Sequence, residues 1–421
     1  MKFSFASKMI SQVHTAPLRA SMVTHVFITS FALIFGFLTT MAQADSQTTP
    51  AAVLWNAKFT AEMKLDTLAP ALIARNLAIL HSALWNSWSR GDGRSEKLSH
   101  VISYKICSHL LPGHSAAFER ILNEVYPEQI REDDRTKADG FVDDTLHHFA
   151  DDGASRHVTY TAKNTPGAWF RTPPFFRTAE LPHWGTVRPI QIAHSADFRP
   201  KGPPALSSRE YADAWSEIYK LGGKNSALRT SEQSRIASFW SDFSYTETPV
   251  GHWNNIARGI ATAKQLGERE TAELFYLLNV TLCDTAIACW DTKYAYNFWR
   301  PITAIQRADI DDNPATEADP VWEPFLKTPN HPEYVSGHSA FSGAASQILI
   351  DFSGTDNLTF EISSDTLPNI TRRFSSLRAC AKECGESRIY GGIHFRFSCE
   401  DGYTLGRQVA ETVWAMLKEV R

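Results

Sequence analysis

Apolar residues recur along this chain at helical rather than strand spacing. Ile73, Leu77, Leu80, Leu84 and Trp88 mark one face of a helix. Ser115 reads as the cap of a helix over residues 116–125. Residues 268–290 are nearly apolar through their middle, as expected of a helix buried on most sides. Near the C-terminus Leu405, Val409, Thr412, Val413, Met416 and Val420 share one face. Alternating apolar and polar positions are scarce. The pattern predicts an all-α fold of bundled helices joined by long irregular connections.

Two stretches break the periodicity. Residues 163–206 carry Pro166, Pro173, Pro174, Pro182, Pro189, Pro200, Pro203 and Pro204, and residues 307–333 read RADIDDNPATEADPVWEPFLKTPNHPE. Loops of this length either wall an active site or wrap the bundle. At 421 residues and 43% apolar composition the chain can bury a large core. A net charge of −4, without a basic run or a repeat, excludes a nucleic-acid field.

The N-terminus has its own pattern. Lys2, Lys8 and Arg19 precede the apolar run at 26–39, and Ala42-Gln43-Ala44 follows. This is the layout of a signal peptide cut before Asp45. The run is short for a bilayer span of about 20 residues, so a stable membrane anchor is not expected. Residues 45–421 are then one exported domain, periplasmic or secreted. Its cysteines, Cys107, Cys283, Cys289, Cys380, Cys384 and Cys399, are read as buried thiols or structural disulfides rather than a zinc site, because no CxxC occurs.

Candidate chemistry lies in three segments. Lys293 and Arg300 stand seven apart in KYAYNFWRP, two helical turns, so both can point the same way about 10 Å apart along one axis. Ser336-Gly337-His338 offers a hydroxyl, an open N–H and an imidazole before a predicted helix start. Arg388 and His394 close SRIYGGIH, where Gly391 and Gly392 allow a tight turn or close backbone approach. Three cations, two neutral donors and two imidazoles suit a tetrahedral oxyanion. Two histidines permit a division of labour, one bonding to the central atom and the other moving protons.

The order KxxxxxxRP, SGH, SRxxxxxH resembles the signature that joins vanadium-dependent haloperoxidases to type 2 phosphatidic acid phosphatases and bacterial acid phosphatases. The segments FWSDF at 239–243, GHWNNIA at 251–257 and TPPFF at 172–176 are similar to secreted bacterial members of the haloperoxidase type. The resemblance implies a helical-bundle fold with vanadate as cofactor. His394 matches the histidine that bonds to vanadium, or attacks phosphorus in the phosphatases. Lys293, Arg300, Arg388, Ser336 and the Gly337 N–H match the groups that hold the oxygens, and His338 matches the acid–base histidine. Trp290 and His331 match positions of the halide pocket, where histidine accompanies bromide oxidation and phenylalanine chloride oxidation. The implied partners are hydrogen peroxide, a halide (bromide or iodide before chloride) and a small organic acceptor, with homo-oligomerisation open.

The chain departs from the family pattern at two places. Val335 replaces the proline before SGH. Ser398 stands where relatives carry an aspartate four residues after the second histidine, and Asp401, expected on the same helical face, is the candidate substitute. Asp242 is a candidate partner for one of the cations. Phosphatase relatives lean on the missing aspartate, which favours the peroxidase over an exported acid phosphatase working through a phosphohistidine. A non-catalytic oxyanion binder would not need two imidazoles.

Overall fold

The apolar stretch at 268–290 becomes the spine of the molecule. The computed structural model describes residues 49–90, 94–127, 130–163 and 165–418. The leader at 1–44 and Val420 lie outside the described residues. Within them, five helices form the N-terminal part: α1 (Ala51–Leu65), α2 (Pro70–Ser89), α3 (Glu96–Leu110), α4 (Ser115–Val125) and α5 (Glu132–Phe149). After the first irregular stretch come α6 (Arg209–Gly222), α7 (Ser231–Phe239), α8 (Thr248–Ala263), α9 (Glu268–Tyr296) and α10 (Pro301–Gln306). The C-terminal part holds α11 (Gly337–Ser353), a hairpin of β1 (Phe360–Ser364) and β2 (Leu367–Phe374), α12 (Leu377–Tyr390) and α13 (Arg396–Lys418).

The α9 helix packs against α2, α11 and α13. It is long and apolar enough to cross a bilayer, yet 89% of its most apolar window is buried inside the protein. It is therefore a core helix, as its all-round apolar character predicts. Its C-terminus is set by Asn297, which takes the left-handed conformation (φ 52°) and donates its N–H to the Lys293 carbonyl. Asparagine tolerates that region better than most residues.

The structure corrects three sequence expectations here. Ser115 does not cap α4. It is the first helical residue, and its hydroxyl bonds back to the Pro112 carbonyl at 3.0 Å. Lys293 and Arg300 do not share a helix, because Asn297 ends α9 between them and Arg300 is extended immediately before α10. The antiparallel hairpin β1–β2 departs from the all-helical expectation: β1 buries only Ile362 and Ser364, and β2 buries no residue fully and carries Pro368, Arg372 and Arg373. It lies beside an otherwise helical core and leaves the all-α class unchanged. All six cysteines are free and buried.

The irregular stretches stay irregular apart from short 3-10 turns at Trp184–Thr186, Ser195–Phe198 and Ala308–Ile310. They are ordered by specific anchors. Buried Asp284 on α9 accepts the N–H groups of Ile190, Gln191 and Ile192 at 2.7, 2.8 and 3.0 Å. Burial raises its pKa to about 6 despite those bonds.

Helices α11 and α13 cross with almost no space between them. A Cβ on Gly406 would fall 1.9 Å from the Ala340 carbonyl oxygen, and one on Gly343 2.2 Å from that of Tyr403. This crossing fixes the two segments that carry the SGH turn and the second histidine. Gly406→Ala is expected to destabilise the protein by about 1–3 kcal/mol, the usual range for overpacking. A fall in the urea midpoint checks it, and a change under about 0.5 kcal/mol would mean that the crossing relaxes freely.

Candidate functional site

The three sequence segments converge on one buried cluster. Lys293 projects from the last turn of α9 and is fully buried. Its ammonium donates to the carbonyls of Pro332 (3.1 Å), Glu333 (3.1 Å) and Val335. An ammonium has three donors, so these contacts use all of them to shape the loop before SGH. Arg300, also fully buried, donates to the carbonyls of His331 and Ile393, both at 2.9 Å. Burial lowers the pKa of Lys293 to about 8 and of Arg300 to about 10, so both remain cationic near neutrality.

Ser336 is the cap of α11: its hydroxyl oxygen accepts from the Ser339 N–H at 3.3 Å. Gly337 and His338 form the first turn and face a cavity of about 310 Å³. The Val335 departure leaves this turn in place, with a cis Tyr334–Val335 peptide. Arg388 lies in the last turn of α12, and the chain then reverses at Gly392, whose φ is +74°. A Cβ there would sit 2.2 Å from the Gly222 carbonyl oxygen, so the glycine is sterically required. The turn delivers His394 to the same cavity.

His394 is set by a residue that sequence reasoning missed. Its Nδ1 lies 2.9 Å from Glu333 Oε1, which also accepts the Phe395 N–H at 3.0 Å. Ser398 contributes only a long contact of 3.5 Å to the same nitrogen. Asp401 is not the substitute: it accepts the Tyr334 hydroxyl at 2.7 Å. The network assigns the Nδ1 proton to the Glu333 bond. Nε2 then carries a lone pair, and the Arg300 guanidinium approaches it at 3.2 Å. Burial, then Arg300 and Lys293, hold His394 well below the ordinary histidine range and neutral. Burial raises the Glu333 pKa to about 7, with Arg300 and Lys293 opposing.

His338 lines the cavity from the other side. Burial, then Arg388 and His252, push its pKa down. Its Nε2 stands 4.0 Å from Asp242, which also contacts His252 at 3.3 Å. Asp242 thus meets imidazoles instead of forming the expected pair with a cation. His331 is not a free loop residue. Its Nδ1 lies 2.9 Å from an Arg300 nitrogen and its ring 5.2 Å from that of Trp290, and both rings line the cavity. Glu180 on the same wall is raised in pKa by burial. At the mouth Phe175 and Tyr245 are 69% and 59% exposed.

Residues 273–421 match a family model described as the VCPO second helical-bundle domain. A bacterial vanadium-dependent iodoperoxidase of solved structure is 27% identical, with a TM-score of 0.77 over 88% of this chain and 98% of that one. The chain is thus similar to vanadium haloperoxidases in its C-terminal sequence and in its fold. A holo bacterial vanadium-dependent chloroperoxidase shares the fold at a TM-score of 0.68 and 15% identity, over 84% of this chain and 93% of that one. The vanadium chloroperoxidase of Curvularia inaequalis is 27% identical over 53% of this chain, a match that spans about half, 46%, of that relative's length.

The haloperoxidase fold gives the cluster a test of fit to an oxyanion. Arg388 donates one Nη1 bond to the Trp240 carbonyl, yet its Nε and Nη2 are buried without a hydrogen-bond partner. His338 Nε2 is in the same condition. Buried donors are rarely left unpaired. A guanidinium edge offering two parallel N–H groups matches two oxygens of a tetrahedral anion, so the residues present fit vanadate or phosphate.

Proposed function

We propose that this protein is an exported vanadate-dependent haloperoxidase that oxidises bromide or iodide with hydrogen peroxide. The observation that carries the reading is the pairing of two features in one buried cluster, where the charge of Arg388 acts on His394. One is a histidine whose Nε2 lone pair is fixed by Glu333, and the other is the unpartnered edge of Arg388. His394 would bind the vanadium, while Arg388, Ser336 and the Gly337 N–H would hold its oxygens. Lys293 and Arg300, whose donors largely serve loop carbonyls and imidazoles, would act mainly by charge. Bound vanadate supplies a centre on which peroxide becomes an electrophilic oxidant of halide without a change in the metal's oxidation state.

The remaining chemistry belongs to the side chains. His338, held uncharged, accepts a proton from incoming peroxide. Lys293 and Arg300, both fully buried, would place positive charge beside the anion, where burial weakens the screening of that charge. His331 and Trp290 form the wall that a halide meets, and the iodoperoxidase relative supports a soft halide. The leader pattern at 1–44 supports export. A small organic acceptor would meet the product at the aromatic mouth.

One observation keeps an acid phosphatase as the second reading. Glu333 supplies the carboxylate that Ser398 lacks, so a histidine able to attack phosphorus is present. Metal-stripped protein assayed with and without vanadate separates the two. Iodide and bromide oxidation that appears only with vanadate, with weaker chloride oxidation, is the expected result. Aryl phosphate hydrolysis inhibited by vanadate, without halogenation, would overturn the proposal.

A further inference from the structure

Behind His338 the structure holds a second histidine that the proposed mechanism does not use. His252, on α8, is 3% exposed and stacks on Trp240 with ring centroids 4.6 Å apart. Its Nδ1 lies 3.3 Å from Asp242 Oδ1, and its Nε2 has no partner although buried. The other oxygen of Asp242 is the one 4.0 Å from His338 Nε2. Asp242 is thus a carboxylate that approaches both rings, and it is held there in a left-handed conformation (φ 42°).

Asp242 also divides two cavities. It lines the main one with His338, and it lines a rear one with His252, Glu247, Ser363, Ser364 and Asp365. The rear cavity measures about 40 Å³, enough for water. Asp365, at its rim, has a side chain 36% exposed. Lys64 and Arg258 face the same acids, Lys64 lying 3.1 Å from Asp365 and Arg258 3.7 Å from Glu247.

We propose that His252 relays protons between solvent in the rear cavity and His338, through Asp242. The inference rests on the haloperoxidase reading. That reaction joins hydrogen peroxide, halide and one proton to give hypohalous acid and water, so each turnover takes up a proton. His252, as imidazolium, passes its Nδ1 proton to the Asp242 carboxylate, which passes it to His338 Nε2 once His338 has given up the proton it took from peroxide, and His338 delivers the relayed proton to the oxygen released as product. A proton from the rear cavity then returns His252 to imidazolium. Only protons move, and no electron crosses the relay. Burial lowers the proton affinity of His252, but Asp242, Glu247 and Asp365 outweigh it and leave the net value raised. The main cavity remains free for peroxide, halide and product.

The test compares His252→Gln and His252→Ala with the wild type as vanadate-loaded full-length proteins, following kcat against pH and vanadate binding separately. The Gln variant is expected to lose about tenfold in kcat near pH 8. Near pH 5, where protons also arrive through the main cavity, it stays within about twofold, with KM for halide unchanged. Imidazole should restore the Ala variant at high pH. An unchanged pH profile, or a uniform loss that imidazole does not relieve, would overturn the relay. If the His252 variants fail to fold, Asp365→Asn is the second test, with a smaller loss confined to high pH; its absence would also overturn it. A wild type without vanadate-dependent halogenation would instead remove the reading beneath the proposal.

Discussion

His394→Ala is expected to abolish halogenation and to weaken vanadate binding by more than about 100-fold, whereas His338→Ala should keep most of the vanadate affinity and lose about 10²–10⁴ in kcat. The difference follows from geometry. His394 is the imidazole whose Nδ1 proton is committed to Glu333, leaving Nε2 as a directed lone pair in the cavity. His338 has no carboxylate within hydrogen-bond distance; its Nε2 stands 4.0 Å from Asp242. The first histidine is built to bind, and the second to exchange a proton. Titrating metal-stripped variants with vanadate, alongside steady-state rates at saturating vanadate, separates the two losses. Equal vanadate affinities in both variants would contradict the assignment.

Removing the Glu333 carboxyl should have the second largest effect. Glu333→Gln keeps an acceptor for the His394 Nδ1–H but loses the charge, and a fall of about 10–100-fold in vanadate affinity is expected, as for other partners of metal-bound histidines. Glu333→Ala goes further. It leaves the Phe395 N–H and the His394 Nδ1–H without their acceptor, at about 1–3 kcal/mol each. It also takes the buried counter-charge from Lys293 and Arg300, a change that typically costs about 3–5 kcal/mol.

The sign of the pH dependence is fixed by the same residue. Glu333 titrates higher in the folded protein, about 7, than its ordinary value of 4.5. Its favourable contribution is therefore complete below pH 4.5 and is lost as pH rises through about 7. Stability of the vanadate-free wild type should decline across that window relative to Glu333→Gln. Urea unfolding of both proteins at pH 4.5 and pH 7.5 measures this difference directly, and a constant difference would contradict burial as the cause of the shift.

Much of the site was legible because its chemistry requires particular residue types in a particular order. Lys293, Arg300, Ser336, Gly337, His338, Arg388 and His394 lie in short motifs, and long apolar periodicity placed α9 and α13 around them. Glu333 was not legible. It precedes His394 by 61 residues and sits in a loop whose path depends on the three carbonyl bonds from Lys293. Helical spacing suggested Asp401 instead, but the Tyr334 hydroxyl occupies that carboxylate. Sequence spacing also placed Lys293 and Arg300 on one helix. Asn297 breaks the helix, and the two cations meet the cluster from different backbone directions. His331 was marked by resemblance alone, and its contact with Arg300 is visible only in the folded chain, 31 residues apart in sequence.

His394 and Arg388 are proposed to face one bound vanadate. The most direct measurement is a crystal structure of the protein soaked in vanadate, with the vanadium located by anomalous scattering. A single strong peak is expected at bonding distance from His394 Nε2, with the vanadate oxygens on Arg388 Nε and Nη2. A peak elsewhere, or none at saturating vanadate, would contradict it.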